Sequence, residues 1–488
     1  MQQIQDILIN CSPRETRVAI LVDGVLEDHH IERAASPGLV GNVYVRKVLR
    51  VLPGMQSAFV DIGLERTAIM RVLDIEGARQ ENGEYRPIEK MIGEGQRLLV
   101  QVAKDPIGTK GARLTTTISL AGRKLVYLPQ DDHIGVSQKI EDEARRESLR
   151  EQVMRLKKPE DRGGYIVRTC AEESATDEEL LEDMRYLGCL WQETSKKAGV
   201  SPAPSLLYED LSLSKRVLRD MVQAETRRSF VDSREVFDEL KEFAQAYAQG
   251  ALPLLELYTG EEPLFETQQV EAELQRALDR RVPLKSGGYI VVDCTEAMTT
   301  VDVNTGGFVG KRDFSETVFK TNLEAAKTIA RQLRLRNLGG IIIIDFIDMQ
   351  NPAHKAAVLE ELRRAASTDR TKLTISEFTE LGLVEMTRKR TRESLSHTLC
   401  EPCPLCGGRG EIKTARTVCY EIMREIVRLY RQYEKADSFK ILASQSVIDF
   451  FLEDEACALE LLQSFVQKPV HLEAEPAYTQ EQYDVLIG

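Results

Sequence analysis

Four consecutive isoleucines, Ile341 to Ile344, follow Gly339-Gly340 and run into Asp345-Phe346-Ile347-Asp348, and no other stretch constrains the fold of this chain as strongly. The run is β-branched, too short for a helix and apolar on both faces, so it reads as a buried central strand. Upstream, Tyr289-Ile-Val-Val-Asp293 passes through 294–300 into Val301-Asp302-Val303-Asn304-Thr305-Gly306-Gly307 and reads as a first strand with a polar end. Between the two, Asp313 to Asn337 carries Val318, Phe319, Leu323, Ala326, Ile329, Ala330 and Leu333 at helical spacing. A helix of that length is a crossover that makes the strands parallel neighbours. Parallel pairing brings their C-terminal ends together, with Asp302 and Asp345, at the edge where open α/β sheets place ligands.

Carboxylates at the ends of buried strands are costly to hold ionised without a partner, and a divalent cation is a common one. Asp302, Asn304 and Asp345 offer hard oxygen donors, which suit Mg²⁺, or Mn²⁺ in its place. Such a centre does phosphoryl chemistry and needs no histidine. The chain has six His, none of them between 289 and 348. The alternative is that Asp302 and Asp345 cap strand ends or pair with arginines.

At 488 residues the chain should hold several domains. No apolar run reaches the ~18 residues of a membrane span, and the N-terminus lacks the charged and apolar regions of a signal peptide, so a soluble cytoplasmic protein is expected. Of nine Cys, six (Cys11, Cys170, Cys189, Cys294, Cys419 and Cys457) stand isolated and are expected to be reduced core thiols. A net charge of −13 argues against a nucleic-acid partner. Base is nevertheless concentrated at Arg331–Arg336 and at Arg388-Lys389-Arg390-Thr391-Arg392, a candidate basic face; ordinary solvated charge is the alternative.

Residues 1–36 alternate apolar and polar around a turn at Asp23-Gly24, a β-meander too short to stand alone. From Gly38 to Ser119, strands at Gly41–Leu52, Ser57–Gly63, Arg97–Ala103 and Gly111–Thr117 fit a small five-stranded OB-type barrel. Gly41-Asn-Val-Tyr44, Ala58-Phe59-Val60-Asp61-Ile62-Gly63 and Lys104-Asp-Pro-Ile-Gly-Thr-Lys110-Gly111 resemble an S1 RNA-binding domain. Phe59 is its candidate stacking platform and Lys110 its phosphate contact, with a core role for Phe59 as the alternative. Next, the strand Gly164-Tyr-Ile-Val-Arg168-Thr169 ends in a pair able to hold a phosphate through two guanidinium N–H bonds and a hydroxyl, unless both are plain surface residues. Helices are expected over Asp177–Lys197, Leu211–Arg228, Ser233–Ala251 and Glu266–Arg281, and the 439–488 tail reads as a small αβ domain after a helix at Thr414–Tyr433.

Cys400-Glu-Pro-Cys403-Pro-Leu-Cys406-Gly-Gly-Arg-Gly410 holds the remaining thiols. Cys403-x-x-Cys406 with Gly after it has the form of a zinc knuckle, but two thiolates make half a site. A second protomer could supply the same pair. Cys400 and His397 could complete a site within the chain, though three-residue steps would crowd one metal, and a redox pair is the further alternative.

Taken together, the S1-like insert, Thr300-Val-Asp302-Val-Asn304-Thr-Gly306, Arg334-Leu-Arg-Asn-Leu-Gly-Gly-Ile-Ile-Ile-Ile-Asp345-Phe-Ile-Asp348-Met349 and Cys403-Pro-Leu-Cys406-Gly-Gly-Arg-Gly410 resemble the ribonuclease E/G family over almost the whole chain, in its short form without a long C-terminal scaffold. The resemblance implies a multidomain α/β protein. Its parts would be a ribonuclease-H-like domain from 1–37 and 213–280, an S1/OB barrel at 38–118, a 5′-sensor region at 119–212, a nuclease-like α/β catalytic domain at 281–397, a zinc link at 398–412 and a small C-terminal domain at 413–488. It implies an endoribonuclease that cuts single-stranded, A/U-rich RNA to leave a 5′-phosphate and a 3′-hydroxyl, acting in rRNA precursor maturation and mRNA decay. Asp302 and Asp345 would hold Mg²⁺ while Asn304 orients them or the scissile phosphate. Gly122 and Val126, with Arg168 and Thr169, would form a pocket for a 5′-monophosphate. Cys403 and Cys406 would share Zn²⁺ across a homodimer, or within a tetramer. One departure concerns Ala68-Ile69-Met70, where the family often places a second S1 aromatic; Cys400 is an additional thiol beside the link.

Two rivals make different demands. A non-catalytic S1-type RNA-binding or assembly protein would not need Asp302, Asn304 and Asp345. A phosphohydrolase of small nucleotides would have no use for the barrel, and the chain has no Gly-rich loop ending in Lys-Ser/Thr.

Overall fold

The computed structural model describes residues 4–35, 37–64, 66–80, 82–106, 110–140, 142–158, 161–172, 175–307, 314–433 and 436–488. They form two compact units, 1–398 and 399–488. The larger is mixed α/β and carries four sheets. The N-terminal meander, Gln5–Ser12, Glu15–Val22 and Val25–Arg33, gains two strands from far downstream, Thr226–Val231 and Leu255–Leu257. Gln5–Ser12 pairs parallel with Thr226–Val231, so the meander borrows the neighbours it needs. The expected helix over Leu211–Arg228 therefore stops early, in a π turn at Val217–Met221. Thr226, Ser229 and Val231 turn inward on the strand, and sheet pairing overrides the helical pattern there. The stretch expected as one helix at Glu266–Arg281 is two short helices, Leu264–Thr267 and Val270–Arg276, before a strand at Arg281–Pro283.

The barrel runs Val43–Leu52, Ser57–Val60, Ala68–Arg71, Arg113–Thr115 and Arg97–Lys104, and the last strand pairs back to the first to close it. Sequence reading found four of these five strands. Ala68–Arg71, only four residues long, lacks the length that would announce it.

The catalytic candidates lie on a six-stranded sheet ordered Arg281–Pro283, Tyr289–Cys294, Met298–Asn304, Gly340–Asp345, Leu383–Arg388 and Leu373–Phe378. The stretch read as one strand is a hairpin: Tyr289–Cys294 and Met298–Asn304 pair antiparallel, and the chain reverses where the Thr295 N–H donates to the Met298 carbonyl at 2.9 Å. The crossover helix, Phe314–Leu335, does make Met298–Asn304 and Gly340–Asp345 parallel neighbours. The isoleucine strand is central but covered on one face only. Ile342 and Ile344 are buried against Val318, Ile329, Val358 and Leu362, whereas Ile341 is 49% exposed. A single parallel pair needs a single crossover, so the Phe314–Leu335 and Pro352–Ala366 helices share one face and leave the other open. Gly340, at φ +99°, begins the strand in a backbone region L-residues avoid, and a Cβ there would lie 2.9 Å from an Arg390 Nη atom.

The basic runs are not a free basic face. Arg331 donates to Glu273 at 2.6 Å, Arg334 pairs with Glu27, and Arg388 forms a buried pair with Asp369 at 2.7 Å. Arg392 holds Asp28 at 2.7 Å, so these arginines tie the meander and neighbouring loops to the six-stranded sheet and its crossover helix, leaving Lys389 and Arg390 exposed. Of the six isolated cysteines only Cys419 is buried; Cys170, Cys189, Cys294 and Cys457 are exposed, Cys11 is half-buried, and all six are free thiols. The smaller unit packs the Ala415–Gln432, Gln445–Glu453 and Ala456–Val466 helices on a three-stranded sheet of Val470–Ala474, Phe439–Ala443 and Tyr483–Ile487. Among the described residues no helix is long and apolar enough to cross a membrane.

Candidate active site

Asp302 and Asp345 are direct partners in the parallel register of their two strands. Both side chains are exposed on the open face, while Val301, Val303 and Ile344 anchor the same strands to the core beneath. Asn304 Nδ2 donates to Asp302 Oδ2 at 2.7 Å and so fixes that carboxylate's orientation. Burial, followed by the charges of Asp302 and Asp348, raises the Asp345 carboxyl above its ordinary range. Adjacent like charges of this kind are relieved by a cation or by a proton. Two carboxylates and an amide at the end of a parallel pair match the donors Mg²⁺ takes from a protein when waters and phosphate oxygens complete its shell. Among the described residues no three His, Cys, Asp or Glu side chains converge as a metal cage.

Asn322 was missed by sequence reading. It is fully buried; its amide donates to the Ile347 carbonyl at 2.8 Å and accepts from the Ile347 N–H at 3.1 Å, fixing the backbone just past Asp345. Its signal was a polar residue on the apolar face that also carries Val318, Ala325, Ala326 and Ile329.

The residues expected to form a phosphate pocket gather at one end of a four-stranded sheet made by Ile134–Val136, Gly164–Val167, Leu125–Leu128 and Leu120–Ala121. Val126 pairs with both Ala121 and Ile166, and the Arg168 N–H bonds the Lys124 carbonyl at 2.8 Å. Arg168 Nη1 donates to the Gly122 carbonyl at 2.5 Å, so these two residues are in direct contact. The Asp183 carboxylate accepts the N–H groups of Arg123, Lys124 and Leu125 at 3.3, 2.6 and 2.9 Å, which sets the turn. Gly122 is required beside it, because a Cβ would stand 2.8 Å from Asp183 Oδ2. Thr169 is exposed and its Oγ1 lies 3.1 Å from Ser137 Oγ. Nothing in the sequence near Asp183 or Ser137 marked them.

On the barrel, Phe59 is half-buried and lies opposite Ile69 on one side and Arg50 on the other. Ile69 in turn is beside Arg113, whose guanidinium is held by the Asp74 carboxylate, and Arg113 is opposite Lys104, so an aromatic and an aliphatic residue lie between Arg50 and Lys104 across one face. Lys110 is exposed; Gly111 beside it packs on the Thr67 carbonyl, where a Cβ would lie at 2.1 Å, which sets Lys110 near the start of the Ile69 strand. The stretch between Lys104 and Lys110 includes 107–109, outside the described residues.

In the smaller unit the Cys403–Gly410 turn is tight, with the Gly407 N–H on the Cys403 carbonyl at 2.8 Å and the Gly410 N–H on Cys406 Sγ at 3.4 Å. Donation from the Gly410 and Gly408 amides lowers the Cys406 thiol below its ordinary range, as a thiolate ligand requires. Cys403 and Cys400 are exposed, and His397, in the larger unit, is engaged by Glu393 at 2.8 Å.

The family model described as "Ribonuclease E/G family" matches residues 119–391, more than half of the chain. Ribonuclease G of Escherichia coli (strain K12) is 50% identical over 489 residues, covering 99% of each chain. Ribonuclease G of Haemophilus influenzae is 47% identical over 492 residues, again 99% of each. Ribonuclease E of the same organism is 38% identical over 430 residues, which are 86% of this chain and 45% of that protein. With a sheet that pairs Asp302 and Asp345, a closed barrel ahead of it, and likeness from one terminus to the other, the chain belongs to the ribonuclease E/G family.

Proposed function

We propose that this chain is a metal-dependent endoribonuclease that cuts single-stranded, A/U-rich RNA to leave a 5′-phosphate and a 3′-hydroxyl, favouring substrates with a 5′-monophosphate. Membership of a ribonuclease family supports the reaction class. The observation that carries the metal-dependent cleavage is the register pairing of Asp302 with Asp345 on an open sheet face, with Asn304 bonded to the first. Asp302 and Asp345 would hold Mg²⁺, or Mn²⁺, and that ion supplies charge to the scissile phosphate and acidity to water. Asn304 keeps Asp302 aimed, and Asn322 fixes the backbone that carries Asp345. Phe59 takes a base on its ring while Lys110, Lys104 and Arg50 draw the phosphate backbone along the barrel. Arg168, Thr169, Gly122 and Val126 receive the terminal phosphate.

In this reading the 226–257 and N-terminal strands form the ribonuclease-H-like part, and the six-stranded sheet is the nuclease-like catalytic part. Cys403 and Cys406 share Zn²⁺ with the same pair of a partner, giving a homodimer or tetramer. The substrates are rRNA precursors and mRNA, in the cytoplasm.

The test is cleavage of one short A/U-rich RNA bearing a 5′-monophosphate or a 5′-hydroxyl, with Mg²⁺ or with EDTA. Metal-dependent cutting that favours the monophosphate is expected. Equal cutting of both ends would remove the phosphate pocket and keep the nuclease. Binding without cutting of either would move the chain to a non-catalytic RNA-binding role.

A further inference from the structure

The Arg168 guanidinium does not hang free beside its pocket. Its Nη2 donates to Asp220 Oδ1 at 2.7 Å and its Nη1 to the Gly122 carbonyl at 2.5 Å. Of the five N–H groups a guanidinium carries, those two are committed and the others are left for an anion. Asp220 is itself gripped by Arg219, whose Nε and Nη2 each reach it at 3.0 Å. Arg219 Nη1 also binds Asp210 and the Ala121 carbonyl, both at 3.2 Å, next to Gly122. Burial works to raise the Asp220 carboxyl, but Arg219 and Arg168 outweigh it and hold the group below its ordinary range, ionised at neutral pH.

The backbone of the same residue points elsewhere. The Asp220 carbonyl accepts Arg370 Nη1 at 3.1 Å, and the Met221 carbonyl accepts Arg370 Nη2 at 3.4 Å. Arg370 follows Asp369, the buried partner of Arg388, and Arg388 is opposite Gly340 at the start of the strand that ends in Asp345. Lys139 Nζ bonds the Arg370 carbonyl at 2.5 Å, two residues from the Ser137 that touches Thr169. Two guanidinium groups therefore meet on the Asp220 carboxylate and a third holds its backbone carbonyl, between the phosphate pocket and the catalytic sheet. A long arginine must be oriented in advance if a terminal phosphate is to gain from it, since ordering it at the moment of binding costs affinity.

We propose that Asp220 is the positioning residue that sets 5′-end specificity, holding the Arg168 guanidinium ready for a terminal monophosphate and linking that group through Arg370 to the catalytic sheet. This rests on the reading of Arg168 and Thr169 as the phosphate pocket. Asp220 acts on the substrate only through Arg168. Its neutral replacement offers the two guanidinium groups an amide that competes as a donor, and Arg168 loses its orientation.

The experiment measures kcat/KM for the same A/U-rich RNA with a 5′-monophosphate and with a 5′-hydroxyl, in the full-length protein, for wild type, Asp220→Asn, Asp220→Ser, Asp220→Glu and Arg168→Ala. The expected result is a monophosphate preference that falls about tenfold in Asp220→Asn and Asp220→Ser, the worth of one charge-assisted hydrogen bond. Asp220→Glu, which keeps the charge, recovers part of it, and Arg168→Ala loses it as well. A merely structural role would lower both rates together and leave their ratio alone, and that result overturns the proposal. The wild-type ratio in both neutral variants, with the preference lost in Arg168→Ala, also overturns it while leaving the pocket standing. A preference that survives Arg168→Ala would remove the pocket itself. Should Asp220→Asn not fold, the serine and glutamate variants decide.

Discussion

His29 is buried at 4% exposure with neither ring nitrogen hydrogen-bonded, edge-on to Phe265. Burial, then the charges of Arg392, His30 and Arg17, push its pKa down to about 3. Between that value and the ordinary histidine range, the unfolded chain takes up a proton that the folded chain refuses. Stability from this group is therefore complete above about pH 6.5 and falls by about 1.4 kcal/mol per pH unit below it. Urea melts of wild type and His29→Leu between pH 4 and pH 7 check this, and the variant should have the flatter profile. Asn322→Ala removes both partners of the Ile347 backbone and should cost about 1–3 kcal/mol in the same melts. Asp183 and Asp220 were not legible in sequence because their work is to hold other groups, and a holding role leaves no spacing or motif; Asn322 showed only as a polar residue on an apolar helix face. The pairing of Asp302 with Asp345 was legible because Asp345 closes an apolar strand and Asp302 lies near the end of the strand that a crossover helix makes its parallel neighbour.

Among elements, the barrel tests how far one face can be tuned. Phe59 has Ile69, not an aromatic, directly across from it. Ile69→Phe should tighten single-stranded RNA binding by about 1–3 kcal/mol, one base stack, and Phe59→Ala should weaken it by a similar amount. Fluorescence anisotropy with a labelled oligonucleotide at fixed salt reads both. The crossover helix and isoleucine strand were legible because length and period agree over many residues. The Tyr289–Asn304 hairpin was not, because Thr295-Glu296-Ala297 carries no Gly, Asn or Pro and turns through threonine hydrogen bonds instead. The strand at Thr226–Val231 was hidden for a different reason: Arg227 and Arg228 suit a helix, and pairing with residues more than 200 positions away decides the matter.

For the whole molecule, a net charge of −13 is compatible with an RNA substrate because much of the concentrated base is spent internally while Arg50, Lys110, Lys389 and Arg390 are among the cations left exposed. The proposed assembly would rest on the smaller unit, whose Cys403–Gly410 turn presents two thiols from one chain. Cys403→Ser should lose bound zinc and shift the protein to a smaller species in analytical ultracentrifugation; an unchanged assembly would remove the shared-zinc link. The central claim is that Asp302 and Asp345 form the hydrolytic centre. It is tested most directly by Asp302→Asn and Asp345→Asn, each measured for cleavage of a 5′-monophosphorylated A/U-rich RNA in Mg²⁺ and for binding of that RNA in EDTA. Loss of cleavage in both variants with binding retained is the predicted result, and wild-type cleavage in either would contradict it.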